Sequence, residues 1–248
     1  MANIHYLHEE HIHNTKSAEE VLPYVFSLIK PESVIDIGCG TGTWLAVAKK
    51  LGSVKVLGLD GINPGVGKLV IEKDEFKTHD LSLPLELKQN YDLAICLEVA
   101  EHLPETASDN LINIITQHSD LILFSAAIPG QGGQFHLNEQ WPEYWQKKFS
   151  EKGYLPYDIL RSQFWENENV DWWYKQNMFV YAKQEAALKL NAAFEYKKLV
   201  SYIHPELFQI QVKNEQKLKQ LIKDRIWNPQ FWPTLKLLVK SIVKHKKH

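Results

Sequence analysis

Val34-Ile35-Asp36-Ile37-Gly38-Cys39-Gly40-Thr41-Gly42-Thr43 is an apolar run that ends in three glycines at alternate positions. The β-branched residues favour a strand, and the glycines let the backbone turn sharply and let a ligand come close without Cβ clashes. Thr43–Leu51 continues with helical spacing until Gly52 stops it. The amides of the turn and the positive end of that helix therefore face whatever sits above the strand. A second apolar run, Val54-Lys55-Val56-Leu57-Gly58-Leu59, ends in Asp60. Strand, glycine turn, helix, strand and acid in that order open a doubly wound parallel sheet.

Working outward, the pattern repeats. Ser17 with Glu20 reads as a capping box that opens a helix to about Ile29, which Pro31 ends. Phe76–Thr78 is a short strand candidate that leads to His79-Asp80. Tyr91–Leu97 is a buried strand, Leu111–His118 continues a helix, and Leu121–Ala126 is the next strand. Pro142–Lys152 is a helix, and residues 155–183 supply the last strands, with Met178–Ala182 the better one. From 185 to 248 the pattern is helical, interrupted at Pro205, Pro229 and Pro233. The expected architecture is an α/β domain over residues 1–184 with a helical, basic extension over 185–248.

Bulk properties narrow the function classes. No apolar run approaches the roughly 20 residues that span a bilayer. The first fifteen residues are polar and His-rich, without a secretory h-region. Cys39 and Cys96 are the two cysteines, so a disulfide scaffold is not expected and a reducing cytoplasm is the simplest location. From Glu185 onward 13 Lys/Arg face 5 Asp/Glu, whereas the first 184 residues carry 15 basic and 25 acidic side chains. An acidic body argues against a broad nucleic-acid-binding face there.

The turn is not the dinucleotide fingerprint G-x-G-x-x-G, because Thr43 stands where the last glycine would be. It resembles the D-x-G-x-G-x-G motif of class I S-adenosylmethionine-dependent methyltransferases, a Rossmann-like family. The spacing of Asp60 suits a carboxylate that grips the two hydroxyls of a ribose. The resemblance implies S-adenosylmethionine as cofactor, with Gly38 and Gly40 at its methionine portion and Asp60 at its ribose. It places Asp80 at the adenine amino group with the Leu81 amide nearby, Asp36 at the turn and the cofactor's ammonium, and Glu98 close to the cofactor.

The second informative stretch is Cys96-Leu97-Glu98-Val99-Ala100-Glu101-His102, where the fourth strand ends. A helical turn starting there would put Glu98, Glu101 and His102 on one face at i, i+3 and i+4. The loop after the fifth strand, Gly132-Gly133-Gln134-Phe135-His136-Leu137-Asn138-Glu139-Gln140-Trp141, could bring His136 to the same point. Two carboxylates and two imidazoles suit Mg²⁺, Mn²⁺, Fe²⁺ or Zn²⁺. This E-x-x-E-H with a distant His is similar to the metal constellation of small-RNA 3′-terminal 2′-O-methyltransferases, and E-x-x-E-H also resembles ubiquinone-pathway O-methyltransferases. Two other accounts stand beside the metal: His102 or His136 acts as a general base alone, or the residues merely cap turns.

Five of the eight tryptophans, Trp141, Trp145, Trp165, Trp172 and Trp173, fall within 33 residues, with Tyr144 and Tyr174 among them. Part of this set must be core, and the surplus suggests an aromatic acceptor pocket or lid. Arg161 and Lys175 are candidates for a phosphate. Phe124-Ser125-Ala126-Ala127-Ile128-Pro129-Gly130-Gln131-Gly132-Gly133 through Trp145 resembles a subgroup associated with bacterial glycan and secondary-metabolite genes. The expected activity is O-methylation of a sugar, nucleotide-sugar or other polyhydroxyl small molecule, with an RNA 2′-O-methyltransferase or a non-catalytic partner subunit as the other readings. The tail Leu235–Lys247 has a basic amphipathic pattern that fits packing on the domain, a homodimer contact or a membrane surface.

Overall fold

The computed structural model describes residues 14–65, 67–189 and 199–226. Seven strands form one sheet: β1 (Ser33–Ile37), β2 (Lys55–Asp60), β3 (Phe76–Thr78), β4 (Leu93–Leu97), β5 (Leu121–Ser125), β6 (Tyr154–Tyr157) and β7 (Phe179–Lys183). Their order is β3-β2-β1-β4-β5-β7-β6. β1 to β5 run parallel, while β7 is antiparallel to both β5 and β6. All five residues of β4 and of β5 are buried, as central strands covered on both faces must be.

Alternate residues feed two cores. On one face Val34, Leu93, Ile95, Leu121, Leu123 and Val180 pack with α1 (Lys16–Ile29) and α2 (Thr43–Lys50). On the other, Ile35, Ile37, Ala94, Cys96, Ile122, Phe124 and Tyr181 pack with α3 (Ser108–His118) and α4 (Pro142–Ser150). Phe149 of α4 stacks on Tyr181, ring centroids 4.1 Å apart. Two short helices, α5 (Arg161–Phe164) and α6 (Trp172–Asn177), precede β7, and α7 (Gln184–Lys189) follows it.

The capping box expected at Ser17 and Glu20 does not form. Thr15 occupies the cap, and Ser17 instead exchanges two hydrogen bonds with Asp171, donating from Oγ at 2.8 Å and accepting the Asp171 amide at 3.1 Å. Glu20 accepts the side-chain amides of Asn167 and Asn169. A tertiary contact with the segment before α6 has outcompeted a local one, which α1 can lose because its buried Val21, Leu22, Val25 and Phe26 hold it to the sheet.

The chain divides into two compact units, Met1–Tyr202 and Ile203–His248. Within the second, α8 (Pro205–Ile226) leaves Phe208, Leu218, Leu221 and Ile222 half exposed or more. The amphipathic tail at Leu235–Lys247 lies outside the described residues. Among the described residues no helix is long and apolar enough to cross a membrane.

Candidate functional site

The order of strands reverses between β1 and β4, and a cavity of about 850 Å³ opens beyond their carboxyl ends. Asp36, Gly38, Gly40, Asp60, Asp80, Leu81 and Glu98 all line it, so one cleft gathers every residue expected to meet a cofactor. The geometry of the turn explains its glycines. Gly38 has φ +86°, and a Cβ there would lie 2.2 Å from Cγ2 of Val99. Asp60 ties the turn to β2: its Oδ2 accepts the Gly40 amide and its Oδ1 the Ile62 amide, each at 2.8 Å. Asp80 folds its own turn by accepting the Ser82 amide and hydroxyl, which hold its carboxyl below the usual range. Asp36 lies buried beneath the turn, and desolvation, with the Asp60 charge second, pushes its carboxyl well up.

Glu98 begins the departure from β4 with φ +53°, a left-handed conformation that is uncommon outside glycine. A 3₁₀ turn then spans Ala100–His102. The expected i, i+3, i+4 face is therefore broken at its first member, because Glu98 precedes the helical turn instead of opening it. Glu98 accepts amide hydrogen bonds from Gln131 at 2.8 Å and from Asn177 at 3.2 Å. Burial pushes its carboxyl up, and bonds from Ser125, Asn177 and Gln131 pull against that.

Glu101, His102 and His136 come together, one ligand atom from each lying within 4.8 Å of the others. Glu98 is not one of these three, but its side chain comes within hydrogen-bonding reach of the Glu101 carboxyl and its charge acts on it. The two loops are joined through backbone, since the Glu101 carbonyl accepts the amides of Leu137 (2.7 Å) and Asn138 (3.0 Å). Glu101 is fully buried; no donor meets its carboxylate oxygens with good hydrogen-bond geometry, and the amides of Glu101 and Ala127 and the side chain of Glu98 are the groups near enough to act on it. Burial, and then the charge of Glu98, hold its carboxyl well above the ordinary range. His102 lines the cleft; burial and the neighbouring His136 lower it to about 4. His136 meets Glu139 through Nδ1 at 2.8 Å.

The aromatic cluster is dispersed. Trp145 is core against Phe124, and Trp141 is exposed, whereas Trp173 and Tyr174 line the cleft with Trp44. Arg161 and Lys175 are not phosphate ligands in the cleft. Arg161 is buried against Asp158 with its guanidinium over the rings of Phe179 and Tyr202, and Lys175 is buried and donates to the Asn167 carbonyl at 3.2 Å. The sequence reading missed His79, Trp44 and Phe135 as cleft residues. His79 was legible as the neighbour of Asp80 after β3; Phe135, at φ +58°, had no local signal.

A protein-family model described as Methyltransferase domain matches residues 6–179. No curated protein matches the chain. Solved structures with a similar fold include S-adenosylmethionine-bound CalS10, an amino pentose methyltransferase from Micromonospora echinaspora involved in calicheamicin biosynthesis. It is 14% identical over 67% of this chain and 90% of its own, with a TM-score of 0.50. Magnesium protoporphyrin IX methyltransferase (ChlM) from Synechocystis PCC 6803 is 17% identical over 70% and 84%, at 0.49. The methyltransferase domain of bacterial CtHen1-CN is 17% identical over 67% and 98%, at 0.48.

Proposed function

This chain belongs to the methyltransferase domain family, and from that premise we propose that it moves a methyl group from S-adenosylmethionine to a hydroxyl of a sugar or other polyhydroxyl small molecule. Support for the donor comes from the cleft itself. It joins a glycine turn open to a close ligand, a carboxylate at the end of β2, Asp60, that would meet the ribose, and a second acid, Asp80, one strand further out. Asp36, Gly38 and Gly40 would meet the amino-acid end, and Asp80 with Leu81 the base.

The observation that carries hydroxyl chemistry is the trio Glu101, His102 and His136, of which His102 lines the cleft and Glu101 holds a buried carboxylate that no donor meets with good geometry. A buried carboxylate so weakly satisfied is costly unless a cation or proton meets it, so the residues fit a divalent metal. Glu101, His102 and His136 would hold it, and when bound it would lower the pKa of an acceptor hydroxyl. Histidine lowered to about 4 is neutral at pH 7, which suits a nitrogen ligand and makes His102 a weak general base. Glu98, braced by Gln131 and Asn177, would orient the acceptor beside the donor. Trp173 and Tyr174 would exclude water from the transfer, which needs mainly alignment.

The test is transfer of labelled methyl from S-adenosylmethionine to a panel of nucleotide sugars, free polyols, amines and a short RNA with a free 3′ end, with and without Mn²⁺. Methylation of a sugar hydroxyl that chelator suppresses supports the reading. Exclusive amine or RNA methylation, or equal turnover in chelator, overturns it.

A further inference from the structure

Glu139 has no part in the chemistry described so far, yet three donors converge on its carboxylate. Its Oε1 accepts the Gly132 amide at 2.7 Å and lies 2.8 Å from His136 Nδ1; its Oε2 accepts the Gly130 amide at 2.7 Å. Because both oxygens already serve as acceptors for backbone N–H groups, Nδ1 is the donor in the third bond. We propose that Glu139 is a positioning residue that fixes His136 as its Nδ1–H tautomer and leaves Nε2 as the lone-pair nitrogen. This rests on the reading of His136 as a metal-binding residue.

The surrounding loop is built to hold that ring in one place. Gly130 and Gly132 sit at φ +86° and +70°, which turns their amides onto the single carboxylate. The imidazole lies against the bare Cα of Gly133, where a Cβ would stand 2.2 Å from Nε2. The pair is largely shielded, with 12% and 20% of the two side chains exposed. Free imidazole side chains favour the Nε2–H form, so the tautomer required of a ligand through Nε2 has to be imposed. A carboxylate on the far nitrogen is the common means of doing so. An amide in its place offers one acceptor oxygen for three donors, and aspartate is one methylene too short.

The experiment compares the full-length wild type with Glu139→Leu and Glu139→Gln. Long-range ¹H–¹⁵N NMR reads the His136 tautomer in chelator-stripped protein, and calorimetry reads Mn²⁺ affinity. S-adenosylhomocysteine binding serves as the check of folding. The expected result is an Nδ1–H His136 in the wild type and a shift toward Nε2–H in Glu139→Leu. Mn²⁺ affinity should fall about 10- to 100-fold in that variant, with Glu139→Gln in between. A wild-type tautomer in a folded Glu139→Leu overturns the proposal. If Glu139→Leu does not fold, Glu139→Gln decides: a tautomer mixture supports the proposal, and an unchanged ring overturns it. If the wild type binds no Mn²⁺, the metal reading has failed, and the tautomer still decides the role of Glu139.

Discussion

The rings of His102 and His136 meet edge to face, their centroids 4.9 Å apart and their planes at 84°. One follows β4 and the other follows β5. Parallel neighbours end at the same edge of a sheet, so the loops that leave them start side by side. The Glu101 carbonyl then fastens one loop to the other through two amides. Glu101 is trapped between them, its buried carboxylate met by no donor with good geometry.

Glu101→Gln tests that trapped carboxylate. A carboxyl whose folded pKa lies above its unfolded value, about 4.3, adds stability below that pH and loses it as pH rises. The variant has no such loss. Its melting temperature relative to wild type should therefore climb from pH 4 to pH 8, read by thermal scans across that range, while its Mn²⁺ affinity falls at least about tenfold. A flat difference between the two curves would contradict the raised carboxyl.

Metal binding should release protons. Glu101 must ionise to act as a ligand, whereas His102 is already neutral above about pH 4. Mn²⁺ affinity is expected to rise with pH above the ordinary carboxylate range, by at most about tenfold per unit for one proton. Calorimetry in buffers of different ionisation enthalpy counts the protons, and a count of zero would refute the assignment.

Gly38→Ala should abolish cofactor binding. Alanine at φ +86° costs on the order of 1–2 kcal/mol, and its Cβ collides with Val99. Adding Val99→Ala should recover part of the stability without restoring affinity for S-adenosylhomocysteine. Full recovery of affinity in the double variant would place the problem in the collision alone.

Asp60→Asn replaces two acceptor oxygens with one. Either the Gly40 or the Ile62 amide loses its partner, so the turn loosens on the side that faces the cleft. S-adenosylhomocysteine should bind at least about tenfold more weakly, ~1.4 kcal/mol, by calorimetry. Unchanged affinity would remove Asp60 from the cofactor site.

Ser17→Ala should destabilise the protein by about 1 kcal/mol, because it leaves a partly buried Asp171 amide without its acceptor. Urea unfolding measures the loss. The helix content should not change, since α1 does not depend on Ser17 as a cap. A loss of helical circular dichroism would restore the capping-box account.

Much of the fold was legible because it is written in local patterns. Leu121–Phe124 announces a buried parallel strand by an unbroken apolar run and Val34–Ile37 by one interrupted at Asp36, and the turn at Gly38 and Gly40 announces itself by composition. β6 was located only to a region, because Tyr154–Tyr157 contains a proline and reads as loop in isolation. That the residues at the strand ends would share one cleft was equally legible, since carboxyl ends of parallel strands share one edge. Side-chain partners were not. Arg161 looked like a free cation, and its place under Phe179 and Tyr202 depends on segments far along the chain.

The sequence by itself determined the α/β class, the glycine turn and the acids that follow it, because hydrophobic period and backbone sterics act over a few residues. The tertiary structure alone decided which acids meet which partners. It set Glu98 apart with Gln131 and Asn177, grouped Glu101 with His102 and His136, and put Glu139 behind the ring of His136. Those choices follow from a left-handed residue at 98 and from backbone hydrogen bonds between two loops. Long-range geometry of that kind leaves no periodic trace in the chain.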